Sequence, residues 1–481
     1  MILPGLVGPS YRSVSRTADP AECVNWYMDI LQDANAKAPA MLLPTPGFST
    51  YLSSLAPGPI RAIHTSYDGR VFVVSGFTLY EIDGTGAPPT SRGTVSVDAK
   101  PATIHNNGAA GGQLFITSGG VGYNYELSTN TLTVVLASGA TMGAYLHNVF
   151  LSLNAATSII RLSALDNGAT WPAAQFAQRS LASDPWVSMV VNNAEIWLLG
   201  NRTSEVWADV GNFPFPFAPI PGAFLRTGIV APYSAQVVDD VLIWVAQDES
   251  GDGEVVQANG YQAVAISTPP VALALQGYAN LADAVAFTYQ EISHQFWVCN
   301  FVDGARTWAW DTTVRSWHER GYWNPTSSSY EALRVNCHAL AFNSKHLVGD
   351  RQTGTVYYMD QSTATDVDGA GIRRLRVFAG IADEQQYVFY HALQIVLQSA
   401  IGLSTGQGSN PQVMMQSSNN GGATWGAERW EAAGKIGAYA TRAIWRRLGR
   451  ARDKVFRVTV SDPVHPWALI QAIATIERGT S

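Results

Sequence analysis

Short apolar runs recur in pairs along this chain, each pair split by a polar turn. "RVFVVSGFTLYEID" from Arg70, "QLFITSGGVGYNYEL" from Gln113, "NVFLSLNAATSIIRLSA" from Asn148 and "EIWLLGNRTSEVWAD" from Glu195 share one plan. "VLIWVAQDESGDGEVVQANG" from Val241, "QFWVCNFVDGARTWAWD" from Gln295 and "HLVGDRQTGTVYYMD" from His346 repeat it. Four or five apolar residues lead to a Gly/Ser/Asp/Asn turn, and a second run ends on an aromatic or branched residue. That pattern predicts strand hairpins. The starts are spaced by roughly 35–55 residues, the period of propeller blades. "YELSTNTL" (125–132) and "WDTTVRSWHE" (310–319) add a polar turn that returns the chain to an outer, kelch-like strand. Helical periodicity is scarce, with a turn or two expected in "GYANLADAVAFTY" (277–289).

The expected architecture is all-β. Residues 55–360 form a β-propeller of six or seven blades with inserted contact loops. Residues 1–54, with "CVNWYMDI" and "APAMLLPTPGFSTY", read as an extended arm rich in aromatics and prolines. Residues 361–481, with "YVFYHALQIVLQS", "PQVMMQSS", "FRVTVSD" and "ALIQAIATIE", read as a second β-rich unit, sandwich-like.

Composition narrows the function. Charged residues make up only 14% of 481, against 47% hydrophobic, so much of the surface is expected to be covered by partners. A net charge of −7 argues against a chain that clamps phosphate backbones through a global basic field. Cys23, Cys299 and Cys337 are far apart and form neither a disulfide framework nor a four-sulfur zinc site, which suits a reducing compartment. No basic leader and no run of 18 apolar residues is present, so neither an export signal nor a membrane span is expected.

Candidate chemistry is thin. No phosphate loop, His-Glu-x-x-His or Gly-x-Ser-x-Gly occurs, and the nine histidines are scattered, so no catalytic residue, metal or cofactor is expected. "DESGDG" (248–253) begins like a calcium loop but has Asn259 where the bidentate Glu belongs, and reads better as a hairpin turn. Asp83, Asp209, Glu254, Asp311 and Asp360 lie near strand ends, where any propeller has acids, so their spacing identifies no glycosidase pair. "SSNNGGATW" (417–425) and "SALDNGATW" (163–171) echo the Asp-box hairpin of sialidase-type propellers. Asn420, Gly422 and Trp425 fit its spacing, as do Asp166, Gly168 and Trp171. Such a box is turn chemistry: Asn or Asp binds local backbone donors, Gly takes a positive φ, and Trp packs beneath.

Two stretches look like contact surfaces. "GNFPFPFAPIPGAF" (211–224) sets Phe213, Phe215, Phe217 and Phe224 on a proline-stiffened loop without a period of its own. It packs either on a neighbouring subunit or on its own propeller. "TRAIWRRLGRARDKVFR" (441–457) gathers Arg442, Arg446, Arg447, Arg450, Arg452 and Arg457 against a single acid, Asp453. It is either a surface for an anionic partner or a solvated strand face. On a strand, Phe456, Val458 and Val460 would be buried while Arg457 and Thr459 face outward.

The series "CVNWYMDI…PTPGFSTY", "FPFAPIPGAFLRTGIVAPYS", "DTTVRSWHERG", "NCHALAFNSKHLVGD", "GIRRLR" and "AIWRRLGRARDKVFRVTVSDP" resembles the packaged-DNA stabilisation proteins of short-tailed bacteriophages, also called tail hub or nozzle proteins. The resemblance covers nearly the whole chain. It implies a structural virion protein, assembled in the host cytoplasm, whose copies form a homo-hexameric ring below the portal and its adaptor. The ring would prolong the DNA channel, help hold packaged DNA and carry the needle, plug or fibres. The resemblance offers no catalytic residue to transfer. Duplex DNA passing through such a ring must slide, so the arginine cluster is expected to face an acidic protein surface and not the lumen. The rival class is a glycan-binding or glycan-cleaving phage tail propeller, a lectin or depolymerase.

Overall fold

A computed structural model describes residues 1–53, 55–247, 253–381 and 386–479. The seven hairpins read from the pattern are the two middle strands of seven four-stranded units around one axis. The innermost strands are Ile60–Thr65, Thr103–Asn106, Met142–Leu146, Trp186–Asn192, Gln236–Val238, Val285–Glu291 and Val335–Ala341. Six units stand as separate four-stranded sheets. The remaining one, Val285–Glu291 through Ser316–Arg320, is the leading part of a ten-stranded sheet. The third to sixth units each enter through a two-residue turn with both residues at positive φ: His147–Asn148, Asn193–Ala194, Asp239–Asp240 and Ile292–Ser293. This is the primed turn whose twist matches that of the flanking strands.

The first 53 residues are extended, but they do not lie free. Gly47–Leu52 pairs antiparallel with Val356–Asp360, so the last blade takes its outer strand from the start of the chain and the ring is closed by hydrogen bonds. Pro20–Val24 joins blade strand Ser316–Arg320 to Arg374–Ala379 in the ten-stranded sheet, which continues through Val455–Val460 and Gln412–Ser418 to Arg429–Ala432. Trp26–Ile30 and Ala40–Pro44 extend the opposing sheet beside Leu469–Arg478, Val388–Leu397 and Ala443–Arg446. These two sheets are the C-terminal sandwich. Trp26, Leu42, Tyr390, Leu393, Trp445, Phe456 and Trp467 fill the core to which they contribute. Such pairings join residues hundreds of positions apart, so local periodicity cannot disclose them.

The arm is anchored by a buried guanidinium. Arg376 donates to the carbonyls of Gly5 (2.8 Å), Leu6 (2.7 Å), Pro9 (2.9 Å) and Glu22 (3.3 Å). Helix appears in a different place from that expected: Pro269–Gln276 is helical and Val285–Glu291 is a blade strand. Pro269 and Pro270 occupy the first helical turn, where missing N–H groups do no harm, while Phe287 and Tyr289 alternate into the core.

Candidate functional site

The phenylalanine stretch divides between two environments. Phe217 opens the outer strand Phe217–Leu225 of the fourth blade and is buried. Phe215 packs edge-on to both Phe217 and Trp207. Phe213 is 94% exposed and Phe224 40%. The stretch has strand character that proline content had hidden. Pro219 and Pro221 are tolerated because this is an edge strand with one side unpaired.

The two box echoes are built differently. In the later copy Asn420 Oδ1 accepts from Thr424 N (2.9 Å), Asn420 Nδ2 donates to Thr424 Oγ1 (2.9 Å), and Gly422 N donates to Ser418 Oγ (2.9 Å). Gly422 has φ +84°. Trp425 lies under the Arg457 guanidinium, 4.2 Å from ring to carbon. In the earlier copy the local acceptor is Asn167, which takes Ala169 N (3.0 Å), while Asp166 holds the left-handed conformation at φ +50°. Gly168 is required there for space, since a Cβ would meet Asn124 Oδ1 at 2.5 Å. Trp171 Nε1 donates to Gly168 O (2.8 Å), and its ring sits 4.8 Å from that of Phe115. Both copies bind their own backbone and neighbouring core.

Of the arginine cluster, Arg442, Arg446, Arg447, Arg450 and Arg452 are exposed on the free edge of the sandwich, where Ala443–Arg446 is the last strand. None of the five has a carboxylate within 4.0 Å among the described residues. Arg442 donates to Gln394 Oε1 (2.5 Å). Arg450 and Arg452 both stack on the Tyr387 ring, at 4.6 and 4.5 Å. Arg457 is separate from them, half-buried and held by Gln416 Oε1 at 3.0 and 2.6 Å. The expected alternation fails at Thr459, which is buried. Val455–Val460 is an interior strand whose second face joins Val24, Leu375 and Val377 of the same sheet in a small apolar cluster, against which Tyr330 and Trp425 pack.

The carboxylates near strand ends sit on different blades with local partners. Asp83 accepts from Thr85, Asp209 from Gly211, and Asp360 from Ser362. Buried Asp311 lies 2.6 Å from His294 Nδ1, whose other nitrogen is 3.4 Å from Asp29 of the arm. Burial disfavours the His294 cation, but the two carboxylates outweigh it and raise its pKa. Among the described residues no group of three His, Cys, Asp or Glu is placed to hold a metal. The calcium-loop reading at 248–253 lies outside the described residues, apart from Gly253. No helix is long and apolar enough to cross a membrane among the described residues.

The arm's role and the Arg376 anchor escaped the sequence reading. The signal available was the run "GIRRLR", in which Arg374 and Arg376 share one strand face and both are buried.

The fold is a propeller that shares a sheet with a β-sandwich and carries turn motifs and exposed aromatic and arginine edges. The family described as bacteriophage P22 Gp10, β-propeller, matches residues 21–364, and its β-sandwich counterpart matches 376–477. The chain belongs to this family of short-tailed phage tail hub and DNA-stabilisation proteins, virion tail components. No curated protein matches it. Among solved structures it is similar to the WD40 β-propeller domain of Doa1, at 11% identity and TM-score 0.41, covering 66% of this chain and 97% of that one. It is also similar to a chain of the mitotic checkpoint complex, at 9% and 0.41, covering 69% and 95%. PorZ of Porphyromonas gingivalis matches at 11% and 0.39, covering 71% of this chain and 44% of that one.

Proposed function

We propose that this chain is the subunit of a hexameric ring in the phage tail, seated below the portal and its adaptor. The ring extends the DNA channel, retains the packaged genome, carries the needle, plug or fibres, and is assembled in the host cytoplasm. The observation that carries the reading is the family match across both the propeller and the sandwich. Two surface features support it. Phe213 and Phe224 expose apolar area on the outer edge of the fourth blade, as a subunit contact requires. The five exposed arginines suit carboxylates on the adaptor or the next subunit, which planar guanidinium groups bind bidentately. We divide the roles accordingly, with 55–360 as the wall, 361–481 as a docking platform and 1–54 as the strap between them.

The ring acts by shape and stiffness, without a catalytic step. A heterologous contact repeated about one axis closes into a ring when the rotation fits. Mass measurement on tails released from particles tests this: six copies per tail support it, and one or two copies exclude it.

A further inference from the structure

We infer that the N-terminal hairpin and the surfaces beside it form a receptor for an extended acidic segment of another virion protein. The hairpin pairs Tyr11–Arg12 with Pro20 and Ala21, and its loop is closed by Ser13 N to Asp19 O (3.0 Å) and Ala18 N to Ser15 O (2.9 Å). A cavity lies on each side. The one toward the sandwich, about 250 Å³, is lined by Arg12, Arg16 and Arg457 with Trp425 and the bare backbone of Gly421 and Gly422. The one toward the propeller, about 500 Å³, is lined by Arg12, Arg16 and Arg306 with Trp308 and Tyr278.

Charge selects the ligand. Four arginines line the two cavities against two carboxylates, Glu22 and Glu319, in a chain whose net charge is −7. Both acids are already engaged: Glu22 with Arg12 at 3.0 Å, and Glu319 with Ser10 Oγ at 2.8 Å and Arg306 at 3.4 Å. Arg16 borders both cavities and has no hydrogen bond or ion pair among the described residues. Arg457 is held over Trp425 by Gln416, so a carboxylate meets a fork already fixed.

Size and shape select the form of the ligand. The smaller cavity falls below the roughly 300–1,000 Å³ that holds a compact small molecule and the larger lies within it, so one such molecule fills the larger alone and leaves Arg457 unmet. Two cavities flanking one thin hairpin accept side chains in succession along a strand that rises about 3.3 Å per residue. A duplex presents its phosphates on a convex surface, and an acidic chain repels such a polyanion at long range. A short acidic peptide is not convex and, with only a few charges, meets far less of that repulsion. This surface is separate from the arginine edge at 442–452. The inference rests on the tail reading only in that a partner must be present in the particle.

Photo-crosslinking in assembled particles tests it. p-Benzoylphenylalanine replaces Val14, which is 80% exposed in the hairpin loop and lines the larger cavity without contributing charge. The expected product joins this chain to a stretch of another virion protein carrying neighbouring Asp or Glu residues. Arg16→Gln should lower its yield about fivefold without moving the melting temperature, the size of effect a solvent-exposed ion pair allows. Arg446→Gln should leave it unchanged. A crosslink to DNA, to a stretch without acids or to nothing, in particles that contain the chain, overturns the receptor alone, as does a yield indifferent to Arg16→Gln. Absence of the chain from the particles overturns the receptor and the tail reading together.

Discussion

Arg376 Nε lies 2.7 Å from the carbonyl oxygen of Leu6, a contact between residues 370 positions apart. With Gly5, Pro9 and Glu22 on its other nitrogens, this one guanidinium holds the start of the chain against the sandwich. Burial lowers its pKa, with Cys23 and Asp19 opposing the shift, and four backbone carbonyls solvate the charge with their dipoles.

Arg376→Leu should therefore be strongly destabilising. It strands several buried carbonyls, each worth about 1–3 kcal/mol, so a loss of at least about 3 kcal/mol is expected. Denaturant unfolding measures it, and limited proteolysis should show cleavage near residues 5–20 in the variant before the propeller is cut.

The hairpins were legible because each needs only near neighbours. Apolar alternation around "RVFVVSGFTLYEID" marks Val71–Ser75 and Thr78–Ile82 directly. The closing strand Gly47–Leu52 was not legible, because its partner is Val356–Asp360 and nothing local distinguishes it from the rest of the arm. Pro219 and Pro221 hid a strand, since proline argues against a strand locally and only the sheet order reveals that this one is an edge. Arg457 could be found by its charge, but its stacking on Trp425 depends on a loop more than 30 residues earlier.

Burial pushes the Asp366 carboxyl up to about 7, against the opposing Val367 N–H, with Asp368 raising it further and Arg374 lowering it. Its unfolded value is about 3.9, so between about pH 4 and 7 the folded chain retains a proton that the unfolded chain has released. This carboxyl's contribution to stability is most favourable near pH 4 and declines as pH rises to 7. Asp366→Asn removes that decline. Relative to the parent, the variant should gain little at pH 4 and progressively more up to pH 8, bounded by about 4 kcal/mol. Unfolding curves across that range measure the difference, and a constant offset contradicts it.

The phenylalanine stretch predicts a separation of folding from assembly. Phe217→Ala should destabilise the isolated chain by about 3–5 kcal/mol, the usual result of emptying a core aromatic site. Phe213→Ser should leave its unfolding curve unchanged and reduce incorporation into tails. Calorimetry on the purified chain and quantitation of tails in the particle distinguish the two.

Turn chemistry predicts the behaviour of the box echo. Asn420→Ala removes the acceptor for Thr424 N and should destabilise by about 1–2 kcal/mol. It should leave glycan chemistry untouched, because none is expected from the parent. Release of reducing sugar from host capsule or lipopolysaccharide, abolished by substituting one carboxylate, would contradict that.

The exposed arginine edge predicts a late assembly defect. Neutralising Arg446, Arg447, Arg450 and Arg452 together should give heads that package DNA but fail to retain tails or genome. Tight, steeply salt-dependent duplex binding by the isolated parent chain, lost on those substitutions, would place DNA on this edge instead.

An electron-microscopy map of the intact tail decides whether copies of this chain form a ring around a DNA channel. Six copies closed about the tail axis are expected, with a polar to acidic lumen and Arg446, Arg447, Arg450 and Arg452 against protein carboxylates. A map with one or two copies, or with those arginines lining the lumen, would contradict it.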